Sequence, residues 1–339
     1  NSLVTHNDSG GAAHLYEINT TTGAVTRTVV VNNATNVDWE DIAQDPSYFY
    51  VGDIGNNSGT RTNLKVYKIS KADYNDTNDV VTAEVISYSY ANQTDFTPNI
   101  NNNNWDAEGL ISYGDKLLIF SKNWVTNTVD VYSIPKTAGT HSAILESTFD
   151  TNGLITGADS STDGTVIFLT GYSNSAAPFM FTIHNIPSST LDLFSGTVSA
   201  KIPNIVPLGN QVEGITLFEI TATKHRLYIS NEKYIVSLGP ITLAFPAKLW
   251  TIEIDNDAIA LNMPSTIPAS DIRLYLNPYD GILNLSKHVD EITIYDVSGR
   301  NIAKHYLVNK VSLENLQQGV YIAHLKINNA TLIRKLMKK

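Results

Sequence analysis

Four segments of this chain repeat one plan, and a repeat constrains architecture more tightly than any single motif. Each holds an acidic apolar strand, a turn, an aliphatic or aromatic strand and a short polar turn. They begin with Asp-Trp-Glu-Asp-Ile-Ala at 38–43, Trp-Asp-Ala-Glu-Gly-Leu at 105–110, Ile-Thr-Gly-Ala-Asp-Ser at 155–160 and Gln-Val-Glu-Gly-Ile-Thr at 211–216. Aligned on their acids, Glu40, Glu108, Asp159 and Glu213 follow one another at 68, 51 and 54 residues. That spacing fits the blades of a β-propeller, four-stranded sheets whose first strands line a central channel. A fifth unit opens the chain, where Leu3 to Asp8 reads as a second strand and its turn. Its channel strand is expected from residues before Asn1 or from another segment that closes the ring.

The strand content supports this. Short runs rich in Val, Ile, Tyr and Thr, such as Lys116 to Phe120, Val129 to Ile134 and Val166 to Thr170, recur between clusters of Gly, Asn, Asp and Pro. Helical periodicity is nearly absent, so the chain reads as all-β. Charge then divides it. Residues 270–339 carry a net +4, whereas the remainder of a chain of net charge -10 carries -14. The expected organisation is a five-bladed propeller over 1–262, a Pro-containing linker over 263–270, and a small Ig-like β-sandwich of short antiparallel strands over 271–339.

Composition excludes several functions. An acidic chain is poorly suited to nucleic acid or anionic lipid and better suited to metal cations. It contains no cysteine, so disulfides, thiolate metal sites and a Cys nucleophile are all ruled out. The longest apolar stretch, Ile235 to Trp250, is broken by Gly239, Pro240 and Pro246, and the chain is not expected to be an integral membrane protein. The start, Asn1-Ser2-Leu3, lacks a basic and apolar leader, so a signal peptide is expected to be absent from it. A Gly-x-Ser-x-Gly elbow, a His-Glu-x-x-His helix and a Gly-x-x-x-x-Gly-Lys loop are all missing.

If the repeat is a propeller, Glu40, Glu108, Asp159 and Glu213 converge near its axis. Several carboxylates in a partly dry funnel repel one another unless protons, bases or a hard cation neutralise them. Ca²⁺ accepts many oxygen ligands in irregular geometry and is the expected ion. Alternatively, each acid ties down backbone N–H groups or pairs with Lys122 or Arg61 as a structural residue. His6, Asp8, Asp53, Lys122, Tyr172 and Glu232 sit at the ends of second strands and form the candidate rim for a ligand, with Asx turns the competing reading for Asp8 and Asp53. Two functions follow: a module that binds an ion or ligand at the channel mouth, or a Ca²⁺-dependent hydrolase of phosphate or carboxylic esters, in which the ion activates water. Whether the chain is an enzyme stays open.

Two resemblances add to this. The C-terminal landmarks are Leu276-Asn277-Pro278, Leu283-Asn284-Leu285, the run Ile294 to Arg300, Gly319-Val320-Tyr321-Ile322 and the basic tail Arg334 to Lys339. This segment resembles the type A sorting domain of the type IX secretion system of Bacteroidetes. The resemblance implies export across the outer membrane to the cell surface or medium, with the type IX translocon and its outer-membrane shuttle protein as partners. It marks Asn277, Pro278, Gly299, Gly319, Tyr321, Lys335, Lys338 and Lys339 as the sorting signal. The alternatives are an Ig-like module that binds carbohydrate or stiffens the chain, and a tail that is merely solvated. The N-terminal region, through His6 to Gly11, Asp38 to Ala43, Gly52 to Asn57 with Arg61, and Asp106 to Leu110, is similar to a family of secreted bacterial β-propellers.

Overall fold

The computed structural model describes residues 2–75, 77–221, 223–238, 241–255, 274–276, 281–327 and 330–338. The expected linker 263–270, and Asn277, Pro278 and Lys339, lie outside the described residues. The chain divides into two compact units, 1–262 and 263–339. Among the described residues, apart from α1 (Lys71–Tyr74) and one short 3₁₀ turn, the regular structure is β.

The larger unit is a series of antiparallel meanders. The first sheet holds β1 (Ser2–His6), β2 (His14–Asn19) and β3 (Val25–Val31), with short β7 (Val80–Val81) on its outer edge. The second holds β4 (Trp39–Gln44), β5 (Tyr48–Asp53), β6 (Lys65–Ser70) and β8 (Glu84–Tyr90). The third holds β9 (Ala107–Tyr113), β10 (Lys116–Ser121), β11 (Thr128–Pro135) and β12 (Gly139–Asp150), and β12 also pairs in parallel with β8. The fourth holds β13 (Leu154–Ser160), β14 (Val166–Tyr172) and β15 (Pro178–His184), edged by β16 (Thr197–Val198) and β17 (Ile202–Pro203). The fifth holds β18 (Val212–Ile220), β19 (Lys224–Asn231) and β22 (Lys248–Asp255), with the hairpin of β20 (Tyr234–Leu238) and β21 (Ile241–Phe245) inserted.

Two features make these sheets propeller blades. The first strands β4, β9, β13 and β18 lie side by side in that order. The sheets also pack face to face in chain order, because alternate residues of one strand enter two different cores. In β10, Leu117 and Ile119 pack with Tyr50, Val66 and Ile86 of the second sheet, whereas Leu118 and Phe120 pack with Ile155, Ile167 and Leu169 of the fourth. Leu15 and Val29 of the first sheet meet Trp39, Val51 and Tyr67 of the second. Phe168 and Met180 of the fourth meet Val212, Leu227 and Ile229 of the fifth. Burying each such side chain contributes about 1.5–3 kcal/mol. A strand buried on both faces reads as a continuous apolar run, which is why β14 is Val-Ile-Phe-Leu-Thr-Gly-Tyr, without polar alternation. Among the described residues no strand pairs with the inner side of β1.

The smaller unit is a rolled antiparallel sheet with an Ig-like arrangement: β23 (Leu274–Leu276), β24 (Ile282–Asp296), β25 (Asn301–Ser312), β26 (Gly319–Ile327) and β27 (Ala330–Lys338). β24 pairs with β23 over its first residues and with β26 over its last, with a register break between Asn284 and Val289. That bend lets one strand serve both halves around a core of Leu283, Val289, Ile292, Ile294, Val311, Ala323 and Leu325. Gly299 has φ +84° in the turn after β24, a conformation that favours glycine. Gly319 opens β26 directly after the turn and bend residues of 314–318, without a left-handed φ of its own.

The inner strands approach most closely at their glycines. A Cβ on Gly157 would lie 2.6 Å from the carbonyl oxygen of Glu213 on the neighbouring strand. Gly157→Ala is expected to push β13 and β18 apart and destabilise the propeller by about 1–3 kcal/mol in urea unfolding. Gly109→Ala, whose nearest neighbours are side-chain atoms at 3.0 and 3.2 Å, is expected to cost less.

Candidate functional site

A β-bulge at one place in each inner strand positions the channel acids. In the second sheet Trp39 faces Asp53 and Asp41 faces Gly52, which leaves Glu40 as the extra residue. The same break leaves Glu108 in β9, Thr156 in β13 and Glu213 in β18. A bulge takes its residue out of the ladder and re-aims the side chain. Three of the four expected carboxylates therefore share one position, and Thr156 holds the fourth. Its hydroxyl donates to the Val212 carbonyl of the next blade. Asp159 lies three residues further along. Its Oδ2 accepts from the backbone N–H of Leu217 at 2.7 Å and the hydroxyl of Thr216 at 3.0 Å, clasping β13 to β18. Asp41 clasps β4 to β9 in the same way, accepting from Leu110 N–H at 2.8 Å. Burial pushes the Asp159 carboxyl up to about 6 and that of Asp41 up to about 8, against these hydrogen bonds. Aligning the repeat on acids missed the register. The residue pairs Glu108-Gly109, Thr156-Gly157 and Glu213-Gly214 carry it, because each glycine follows the bulge.

One buried cation divides the acids into two groups. Lys122, 5% exposed, ion-pairs with Glu108, 4% exposed, and its ammonium lies 4.9 Å from the Trp124 ring centre and 5.4 Å from that of Tyr172. Burial opposes the ammonium, but Glu108 and Glu213 outweigh it and hold the Lys122 pKa well above its usual value. Burial also raises the carboxyls of Glu108 and Glu213, and Lys122 opposes both shifts. One Glu213 oxygen, Oε2, is shut off from solvent without a partner. The site expected from four convergent acids thus has a lysine beside two of them.

The second group spans blades one, two and five. Ligand oxygens of Asp8, Asp38 and Glu40 lie within 4.8 Å of one another. Among the described residues none of the three has a salt-bridge partner. Burial raises the Asp38 carboxyl to about 6, with Asp8 and Asp106 adding to it, and raises Glu40 well above its ordinary value, with Asp8 and Asp38 adding. Gly55 makes the room, because a Cβ there would fall 2.2 Å from Glu40 Oε1 and 2.4 Å from Asp38 Oδ2. Glu232 of the fifth blade hydrogen-bonds Asp8 and is raised to about 7 by burial, then by Glu213 and Asp8. Sequence reading placed Asp8 and Glu232 on the rim and passed over Asp38, two residues before Glu40.

The remaining rim candidates are structural neighbours. Asp53 is fully buried and accepts from Arg61 Nη2 at 2.7 Å and from the Asp38 N–H at 3.1 Å, and Arg61 also donates to the Gly55 carbonyl. His6 donates from Nδ1 to the Asn7 carbonyl and sets its ring edge-on to Trp39 at 5.8 Å. Burial lowers its pKa. Tyr172 is buried beside Lys122, and burial raises its phenol.

Comparison with known proteins bears on the two units differently. Residues 273–339 match the family model described as the secretion system C-terminal sorting domain. This sorting domain indicates export across the outer membrane, to the cell surface or beyond. No helix among the described residues is long and apolar enough to cross a membrane. No curated protein matches the chain. Among solved structures, a candidate 6-phosphogluconolactonase from Bacteroides uniformis is 14% identical, with a TM-score of 0.38 over 98% of this chain and 95% of that one. A candidate 6-phosphogluconolactonase from Bacteroides fragilis is 10% identical, with a TM-score of 0.37 over 100% and 95%. Likeness at this level assigns no activity.

Replacing Lys122 separates its role from that of the acids. Lys122→Met leaves Glu108 and Glu213 buried without their cation, and is expected to lower stability by about 3–5 kcal/mol in urea unfolding. Adding Glu108→Gln is expected to recover part of the loss by removing a buried charge.

Proposed function

We propose, from the premise that residues 273–339 are a type IX sorting domain, that the propeller is an exported surface cargo binding a hard divalent cation at its channel mouth. Ca²⁺ is the ion that fits the donors. Carboxylates are hard oxygen ligands, and Ca²⁺ tolerates an irregular set completed by water and backbone carbonyls. The observation that carries the proposal is the convergence of Asp8, Asp38 and Glu40 within 4.8 Å. Glu232, hydrogen-bonded to Asp8, is the fourth carboxylate available.

This reading moves the ion away from the set Glu40, Glu108, Asp159 and Glu213. Glu108 and Glu213 adjoin Lys122, and Asp159 is committed to the backbone of β18. Asp8 belongs to the turn after β1, Asp38 and Glu40 to the second blade, and Glu232 to the fifth. A cation held there would staple the first blade to its two neighbours. A bound Ca²⁺ would also offer open coordination positions to oxygen atoms of a surface ligand.

Mass action ties this to stability. Ca²⁺ at a hundredfold excess over its Kd is expected to stabilise the fold by about 2.7 kcal/mol, on the order of 5–10 °C in melting temperature. Chelator should reverse the shift, and Glu40→Gln or Asp38→Asn should abolish it. The pH dependence has a defined sign. Asp38 and Glu232 have folded pKa values raised to about 6 and about 7, so the folded state holds protons that the unfolded state has already released. Without the ion, stability is therefore highest below about pH 4 with respect to these two groups, falls as pH rises from about 4 to about 7, and levels off above that. The Ca²⁺ increment should grow across the same interval, as protons cease to compete. A melting temperature indifferent to millimolar Ca²⁺ and to chelator would reject the site. For the export half of the proposal, deleting residues 271–339 is expected to leave the propeller in the periplasm, followed by cell fractionation. Surface display of the truncated chain would overturn it.

A further inference from the structure

The last strand contains a contact that changes the reading of the basic tail. Along β27 the side chains alternate: Leu332 and Leu336 face the core, whereas Ile333, Lys335 and Met337 are exposed. Lys338 has the parity of Leu336 and turns inward. Its ammonium donates to the carbonyl oxygens of Leu313 at 2.6 Å, Glu314 at 2.7 Å and Leu316 at 2.6 Å. A lysine ammonium has three N–H donors, so these bonds use all of them. Bonds from a charged donor are about twice as strong as neutral ones.

The segment that accepts these bonds connects β25 to β26. It has one internal backbone bond, from Leu316 N–H to the Leu313 carbonyl, and is held from the other side by the Tyr321 hydroxyl, which donates to the Gln317 carbonyl at 2.9 Å. Lys338 lies opposite Gly319 at the open end of the β26–β27 hairpin, away from the connection between Ile327 and Ala330. Strand β27 hydrogen-bonds to β26 alone in the sheet order. An outermost strand held by one ladder frays first from its free end, and Lys338 pins that end.

We propose that Lys338 is a positioning residue of the export signal: its ammonium, seated on the three carbonyls of 313–316, locks the last strand so that the outer face with Ile333, Lys335 and Met337 is presented in fixed geometry. Lys338 itself is not read as a charge, since it has no donor left to offer. The basic tail therefore contains two kinds of lysine, Lys335 facing out and Lys338 facing in.

Hydrogen exchange on the full chain, combined with an export assay, tests this. In Lys338→Met, amide exchange across β27 should rise at least tenfold and surface delivery should fall. Lys338→Arg, which keeps a cation over the carbonyls, should return both most of the way to wild type. Lys335→Gln should leave exchange in β27 unchanged. If Lys338→Met leaves exchange unaltered, the lock does not exist. If export is lost while exchange stays at the wild-type level, the charge is read directly and the proposal is overturned.

Discussion

Everything in the larger unit depends on sheets that bury both faces against their neighbours in chain order. The core of β10 illustrates the constraint, with Leu117 and Ile119 committed to one blade and Leu118 and Phe120 to the other. In the second, third and fourth blades, which pack on both sides, the free surfaces are the two ends and the outer edge. The acid-bearing bulges lie at one of these ends. The fold converts a packing requirement into a channel mouth.

Within that mouth, charge is arranged by a single lysine. Lys122 sits among Glu108, Glu213, Trp124 and Tyr172, so part of the acidic field is cancelled from inside the protein. Asp8, Asp38 and Glu40 lie apart from this pairing, and burial keeps the carboxyl groups of Asp38 and Glu40 protonated to higher pH than is normal. Carboxylates thus do three different things here: Asp159 and Asp41 clasp strands, Glu108 pairs with an ammonium, and Asp8, Asp38 and Glu40 gather without a salt-bridge partner among the described residues. Burial is common to all of them but the exposed Asp8, and the nearest donor decides which role each takes.

The sorting domain obeys a different economy, with a small core and a strand that bends to serve both halves of the sheet. Gly299 and Asp296 illustrate how local chemistry stabilises its turns. The Asp296 carboxylate accepts from the N–H groups of Ser298 and Arg300 while Gly299 adopts φ +84°.

The sequence by itself determined the all-β class, the propeller repeat and the sorting tail, because apolar runs, turn residues and motif order are local properties of the chain. It also identified Glu40, Glu108 and Glu213 as equivalent, since each stands in a recognisable acidic strand. Which of them has a cation beside it was decided only by the tertiary structure. Lys122 is 14 residues from Glu108 in sequence, and its contact depends on the hairpin that brings β10 beside β9. The placing of Thr156 in the fourth bulge and the clasp made by Asp159 depend on register, which slips by a residue wherever a bulge is inserted and cannot be read from the identity of an acid. The grouping of Asp8 with Asp38 and Glu40 likewise joins separate strands across the ring, and the inward turn of Lys338 needs a segment 22 to 25 residues away. Pattern reveals which residues are chemically equipped, while the approach of distant strands decides which are neutralised and which are structural.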